Sequence, residues 1–88
     1  MRTLVAASAF RRDLKRCNKR RLDLTALSVV INALLRDDTL PPRCRRHRLS
    51  GNFEGWWECH VGPDWLLIYD INDDTLQLRR TGSHSDLF

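Results

Sequence analysis

No apolar run in this chain comes near the roughly 18 residues that a membrane-spanning helix requires. The longest such segments are short and interrupted, so no membrane partner is expected. The N-terminal M-R-T-L-V-A-A-S-A-F has one arginine and some small apolar residues. F-R-R-D-L-K-R follows at once, and the stretch reads as mature structure rather than a leader. Cysteine is sparse. Cys17, Cys44 and Cys59 form an odd count at irregular spacing, which argues against a disulfide framework and fits a reducing, cytoplasmic compartment. Neither C-x-x-C nor H-x-x-x-H occurs. Cys59 and His60 are neighbours, and neighbours on a strand point to opposite faces, so they make a poor pair of ligands. No metal site is expected. Repeats and low-complexity segments are also missing, and acidic residues are scarce in one half: residues 1–48 hold 4 Asp and Glu against 13 Lys and Arg.

What is present is a chain of 88 residues, 42% hydrophobic and 30% charged. That allows one domain, residues 1–88, around one small core, and it is the balance of a folded protein rather than a disordered one. The first half carries a net +9 and residues 49–88 a net −5. A half this basic suits a polyanion or an acidic partner; a solvated helix face rich in arginine is the plainer alternative.

Residues 2–7 read as a weak first strand. From Ser8, a plausible N-cap, Phe10, Leu14 and Cys17 fall at i, i+4 and i+7, ringed by Arg11, Arg12, Lys15, Arg16 and Lys19. This is a basic amphipathic helix, broken by N-K-R-R at 18–21. Asp23 caps a second helix. Leu22 and Leu27 sit at staple positions, and Leu24, Leu27, Val30, Ile31, Leu34 and Leu35 form its apolar stripe. Pro41 and Pro42 end any helical run. Thereafter the pattern is β: a short strand within 47–52, then 55–61, 65–71 and 75–81, with turns at G-P-D (62–64) and N-D-D (72–74). In 55–61, Trp57, Cys59 and Val61 share one face, and Trp56, Glu58 and His60 the other. The fold expected is α+β: an N-terminal strand, a helical hairpin, then an antiparallel sheet with helices over one face.

The other face can look toward water, and the chemistry-bearing residues gather near its strand ends. They are His47, His60 and His84, with Asp64 in the G-P-D turn and Arg79 and Arg80 closing the last strand. Cleavage of RNA by its own 2′-hydroxyl needs a base, an acid and a cation facing the charge on phosphorus. Two histidines and an arginine supply all three without a metal. A single histidine in a small protein is more often a surface or structural residue. Arg80 shares strand parity with Leu76 and Leu78, which aims it at the core unless the strand ends or twists there; Arg79 has the opposite parity. Trp56, Trp57 and Trp65 are more often core than stacking platforms. Phe88 reads as a core plug or an aromatic lid.

Taken together, H-R-L-S-G, G-W-W-E-C-H-V-G-P-D-W-L-L-I-Y and R-T-G-S-H-S-D-L-F make the chain resemble the YafQ branch of the RelE superfamily, the toxins of bacterial type II toxin–antitoxin pairs. The resemblance covers nearly the whole chain. It implies a microbial-RNase-like α+β fold and an endoribonuclease that cuts mRNA on the 70S ribosome, restrained by a cognate antitoxin and using no cofactor. The family's site positions match His47, His60, Asp64, Trp65, Arg80, His84 and Phe88. His84 and His47 would be the acid–base pair, with Asp64 and His60 assisting or orienting, and Arg80 would stabilise the pentavalent phosphate. Phe88 would hold the terminal segment or stack near the scissile nucleotide, which makes residues 80–88 part of the site. Trp65, Arg79, Lys15, Arg45 and Arg46 are the expected RNA contacts. Arg21 stands where the family often has a glycine. A non-catalytic RNA- or ribosome-binding module of the same fold is the alternative.

Overall fold

The computed structural model describes residues 1–88. Strand β1 (Thr3–Ala6) runs directly into α1 (Ser8–Lys19). The expected Ser8 cap is not formed: Ala7 is the N-cap residue and no side chain caps the helix. The reason is local. The Ala7 N–H donates to the Leu78 carbonyl at 2.9 Å, so the chain leaves the sheet and enters the helix within one residue. Phe10, Asp13 and Cys17 form the buried stripe of α1. Helix α2 (Leu24–Arg36) follows, with the Asp23 carboxylate accepting the Thr25 N–H at 3.0 Å, and it ends at Asp37 in the left-handed region. Between the helices Arg21 has φ +60°, a conformation that costs a side-chain-bearing residue roughly 1–2 kcal/mol and that glycine adopts freely.

After a 3₁₀ turn at Pro42–Cys44 come β2 (His47–Arg48), β3 (Trp57–Gly62), β4 (Trp65–Ile71), β5 (Thr75–Gly82) and a short α3 (His84–Leu87). The sheet has five strands in the order β1-β5-β4-β3-β2. The expected antiparallel meander is there, and β1 joins it in parallel with β5, pairing Thr3 with Thr75 and Ala6 with Leu78. The sheet is therefore mixed.

Its two faces carry separate clusters. Phe10, Cys17, Leu27, Val30 and Leu34 pack on Cys59, Leu67, Tyr69, Leu76 and Leu78 under the helices. On the other face Leu66, Ile68 and Leu87 are buried, edged by Leu49, Phe53 and Trp56. β4 is central and apolar on both sides for this reason, and the predicted alternation in β3 holds on both faces. All three cysteines are free and buried; burial pushes the Cys59 thiol up to about 12, which leaves it a packing residue. No helix is long and apolar enough to cross a membrane.

Candidate active site

The strand register sets one row of side chains across the face not covered by α1 and α2: His47 opposite Glu58, Glu58 opposite Ile68, Ile68 opposite Arg80. Four strands at sheet spacing make this row roughly 14 Å long. Glu58 is only 4% exposed. The sequence put it on this face, yet nothing singled it out; a carboxylate flanked by Trp57 and Cys59 in a central stretch was the available signal. His47 Nε2 lies 3.4 Å from Glu58 Oε1, and His47 Nδ1 is 2.9 Å from the Arg45 carbonyl. Both ring nitrogens thus face oxygen atoms.

His60 follows on the same face of β3, its ring centroid 6.2 Å from that of His84. Asp64, in the left-handed region at φ +49°, turns the chain between β3 and β4. One of its carboxylate oxygens accepts both the His84 backbone N–H at 3.0 Å and the His84 Nδ1–H at 2.6 Å. These bonds, the backbone one foremost, hold the Asp64 carboxyl below its usual range. With Nδ1 engaged, Nε2 of His84 is free to exchange a proton with a ligand.

The parity problem at Arg79 and Arg80 is resolved by a β-bulge. Ile68 pairs with Arg80 but Tyr69 pairs with Leu78, so Arg79 is an extra residue in β5. The extra residue shifts the alternation: Leu76 and Leu78 face the helices, while Arg80 sits opposite Ile68 on the open face. The Arg79 guanidinium stacks 4.5 Å from the Trp56 ring and 5.1 Å from the Phe53 ring. Arg80 reaches round the strand edge to Asp13, donating from Nε at 2.6 Å and Nη2 at 3.2 Å. That pairing holds the guanidinium more firmly charged.

Phe88 is 62% exposed. Its ring meets Phe53 edge-on at 5.5 Å and lies 6.4 Å from His84, so of the two readings the rim position is the one adopted, and Leu87 is the plug. Trp65 is a correction: it is 7% exposed, on the same face of β4 as Leu67 and Tyr69. Its indole N–H donates to Thr81 Oγ1 at 2.9 Å, so the ring is not free to stack on a base. Lys15 is exposed on α1, in the helical layer opposite the open face. Arg46 caps the Trp57 ring at 4.2 Å, on the helix side of β3. Arg45 remains next to the site through its bond to His47. No group of three or more His, Cys, Asp and Glu side chains gathers as metal ligands would.

Helix α3, which carries His84, is held in place by Asp86. Ser83 and Asp86 form a capping box, and the Asp86 carboxylate also accepts Arg20 Nη1 at 2.7 Å and Nη2 at 3.2 Å. The Asp86→Ala variant is expected to melt roughly 5–10 °C lower at pH 7. Arg20 in the first place holds the Asp86 carboxyl well below the usual carboxylate range. A carboxyl depressed on folding contributes fully above its unfolded pKa of about 3.9, and the contribution is lost as pH falls through the lower folded value. Melting curves should therefore show a constant gap between wild type and variant above about pH 5 that closes in strong acid. A gap that widens in acid would contradict this account.

A family model described as the bacterial toxin of type II toxin–antitoxin systems, YafQ, matches residues 2–88. The chain is 34% identical over 88 residues to the mRNA interferase toxin YafQ of Escherichia coli K12, covering 99% of this chain and 96% of that protein. The crystal structure of YafQ from E. coli BL21(DE3) superposes with a TM-score of 0.93 at 32% identity, covering 100% of this chain and 99% of the other. The toxin chain in the crystal structure of the E. coli DinJ–YafQ toxin–antitoxin complex gives a TM-score of 0.90 at 34% identity, with 99% and 97% covered.

Proposed function

The chain belongs to the YafQ family of bacterial type II toxin–antitoxin toxins, and from that membership we propose that it is an endoribonuclease that cuts mRNA on the translating ribosome. The observation that carries the reading is the placement of two histidines and an arginine on one side of the sheet, away from the two long helices. His84 is oriented through Nδ1 with Nε2 free, His47 is backed by Glu58, and Arg80 is brought to the same face by the bulge.

In the proposed reaction one histidine takes the proton from the ribose 2′-hydroxyl. The 2′-oxygen attacks phosphorus, forming a 2′,3′-cyclic phosphate, and the bond to the 5′-oxygen breaks. The other histidine gives that oxygen its proton. Arg80 faces the negative charge that builds on the phosphoryl oxygens. Asp64 keeps His84 in one tautomer and orientation, as a carboxylate does for a catalytic imidazole. Glu58 backs the His47 ring from the neighbouring strand, and His60 stands beside His84. Phe88, Phe53 and Trp56 make an apolar rim for a nucleobase, with Arg79 alongside for the backbone. The proposed partner in the free toxin's life is a cognate antitoxin, as DinJ is for E. coli YafQ, and the place of action is the cytoplasm, where mRNA is translated.

The test is to add the purified chain to a translating extract and map new RNA ends. Discrete cuts within the translated region, bearing 5′-hydroxyl and cyclic or 3′-phosphate ends, are expected. Equal cutting of free RNA would remove the ribosome from the reading. A folded protein that binds ribosomes but makes no cuts would overturn the nuclease and leave a binding module.

A further inference from the structure

Asp13 is the most buried carboxylate of the chain, 3% exposed, in the middle of the α1 stripe that packs on β5. Burying a charge there is costly unless it is fully partnered, and the partners identify its task. β1 pairs with β5 only as far as Leu78, so the outer edge of β5 beyond that point has no neighbouring strand. The Asp13 carboxylate takes that place: Oδ2 accepts the Thr81 backbone N–H at 3.1 Å and Arg80 Nε at 2.6 Å, and Oδ1 accepts Arg80 Nη2 at 3.2 Å and Arg16 Nη2 at 2.8 Å. Arg16 in turn approaches Asp86 at 3.9 Å, and Asp86 binds Arg20. The ladder runs over Gly82, where a Cβ would stand 2.9 Å from the Asp86 carboxylate and 3.3 Å from the Arg16 guanidinium. Alternating charges thus tie Arg80, at one side of the open face, to the helix that bears His84.

We propose that Asp13 is a positioning residue for phosphoryl recognition: it engages the Nε/Nη2 edge of the Arg80 guanidinium so that the opposite Nη1/Nη2 edge is presented, rigid and charged, to the scissile phosphate. This rests on the nuclease reading above and deepens it. A guanidinium has five N–H donors in a planar fork and binds a phosphate through one edge at a time. Nε and Nη2 are committed to Asp13, while Nη1 donates to nothing in the protein. Held by two bonds to a buried carboxylate, the fork has little freedom left to lose when the phosphate arrives.

The test is a double-substitution cycle read as cleavage rate at saturating and subsaturating ribosome-bound mRNA. Asp13→Asn keeps the shape and removes the charge. In an otherwise wild-type chain it is expected to lower kcat about 10²-fold with KM nearly unchanged. In the Arg80→Ala background it is expected to cost almost nothing further, because residues acting through one group are not additive. Equal fold-losses in the two backgrounds, or no loss in either, overturn the proposal. Arg80→Lys leaves Asp13 in place with a cation beside it, and so perturbs the fold less than Arg80→Ala. Its single ammonium is drawn to Asp13, so its cleavage rate should lie near that of Arg80→Ala; a rate near wild type means any cation suffices and overturns the proposal. Absence of cleavage by the wild-type chain itself would be the separate failure of the nuclease reading, and this inference falls with it.

Discussion

Replacing His84 by alanine is expected to lower mRNA cleavage by about 10²–10⁴-fold, the range lost with a positioned acid or base, and to leave the melting temperature nearly unchanged. The two effects separate because of where the ring sits. Its side chain is 59% exposed and its one hydrogen bond is to Asp64, itself 63% exposed; exposed pairs of this kind contribute little to stability. The bond from the His84 backbone N–H to Asp64 survives the substitution, as does the capping box that starts α3. Loss of activity would therefore be loss of chemistry. Cut-site mapping in a translating extract alongside a thermal melt measures both. Cutting equal to wild type would keep a nuclease but take His84 out of its mechanism.

Arg80→Ala is expected to lower cleavage by about 10²–10³-fold, as removal of a preorganised donor to a developing oxyanion does. Here stability does respond. Asp13 loses its two bonds from Arg80 and keeps those from Arg16 and Thr81, so the buried carboxylate is left partly satisfied at a cost of about 1–3 kcal/mol. Cleavage should accordingly be compared well below the variant's melting temperature. A fall in cleavage no larger than the fall in folded fraction would mean that Arg80 is structural only.

The helices and the three long strands were legible because their signals are local: the α2 stripe with Asp23 before it, and alternation in Trp57–Gly62 and again from Thr75. The histidines and Asp64 could be placed near one another because tight turns force neighbouring strands together. What escaped depends on contacts between distant residues. Nothing near Thr3 announces a parallel partner at Thr75. The bulge at Arg79 arises from how β5 is matched to β4, and without it parity aims Arg80 at the core. Trp65 follows simple parity with Leu67 and Tyr69, which outweighs its position beside Asp64. Ser8 has good cap chemistry, but the Ala7–Leu78 bond leaves it no turn to cap. Asp13 was countable as one acidic residue on a basic helix. Its place at i+3 from Phe10 and four before Cys17 put it inside the apolar stripe, and that misfit was the readable clue.

The parallel pairing of β1 with β5 also sets a clock. Leu4 must find Leu76 with both long helices and three strands lying between them in the sequence, and contacts of such long range form slowly. The bulge, the edge that Asp13 seals and the helix that bears His84 all lie in, or directly after, the strand that β1 must reach. Closing the β1–β5 pair is therefore a late step of folding, and the candidate site is whole only after it.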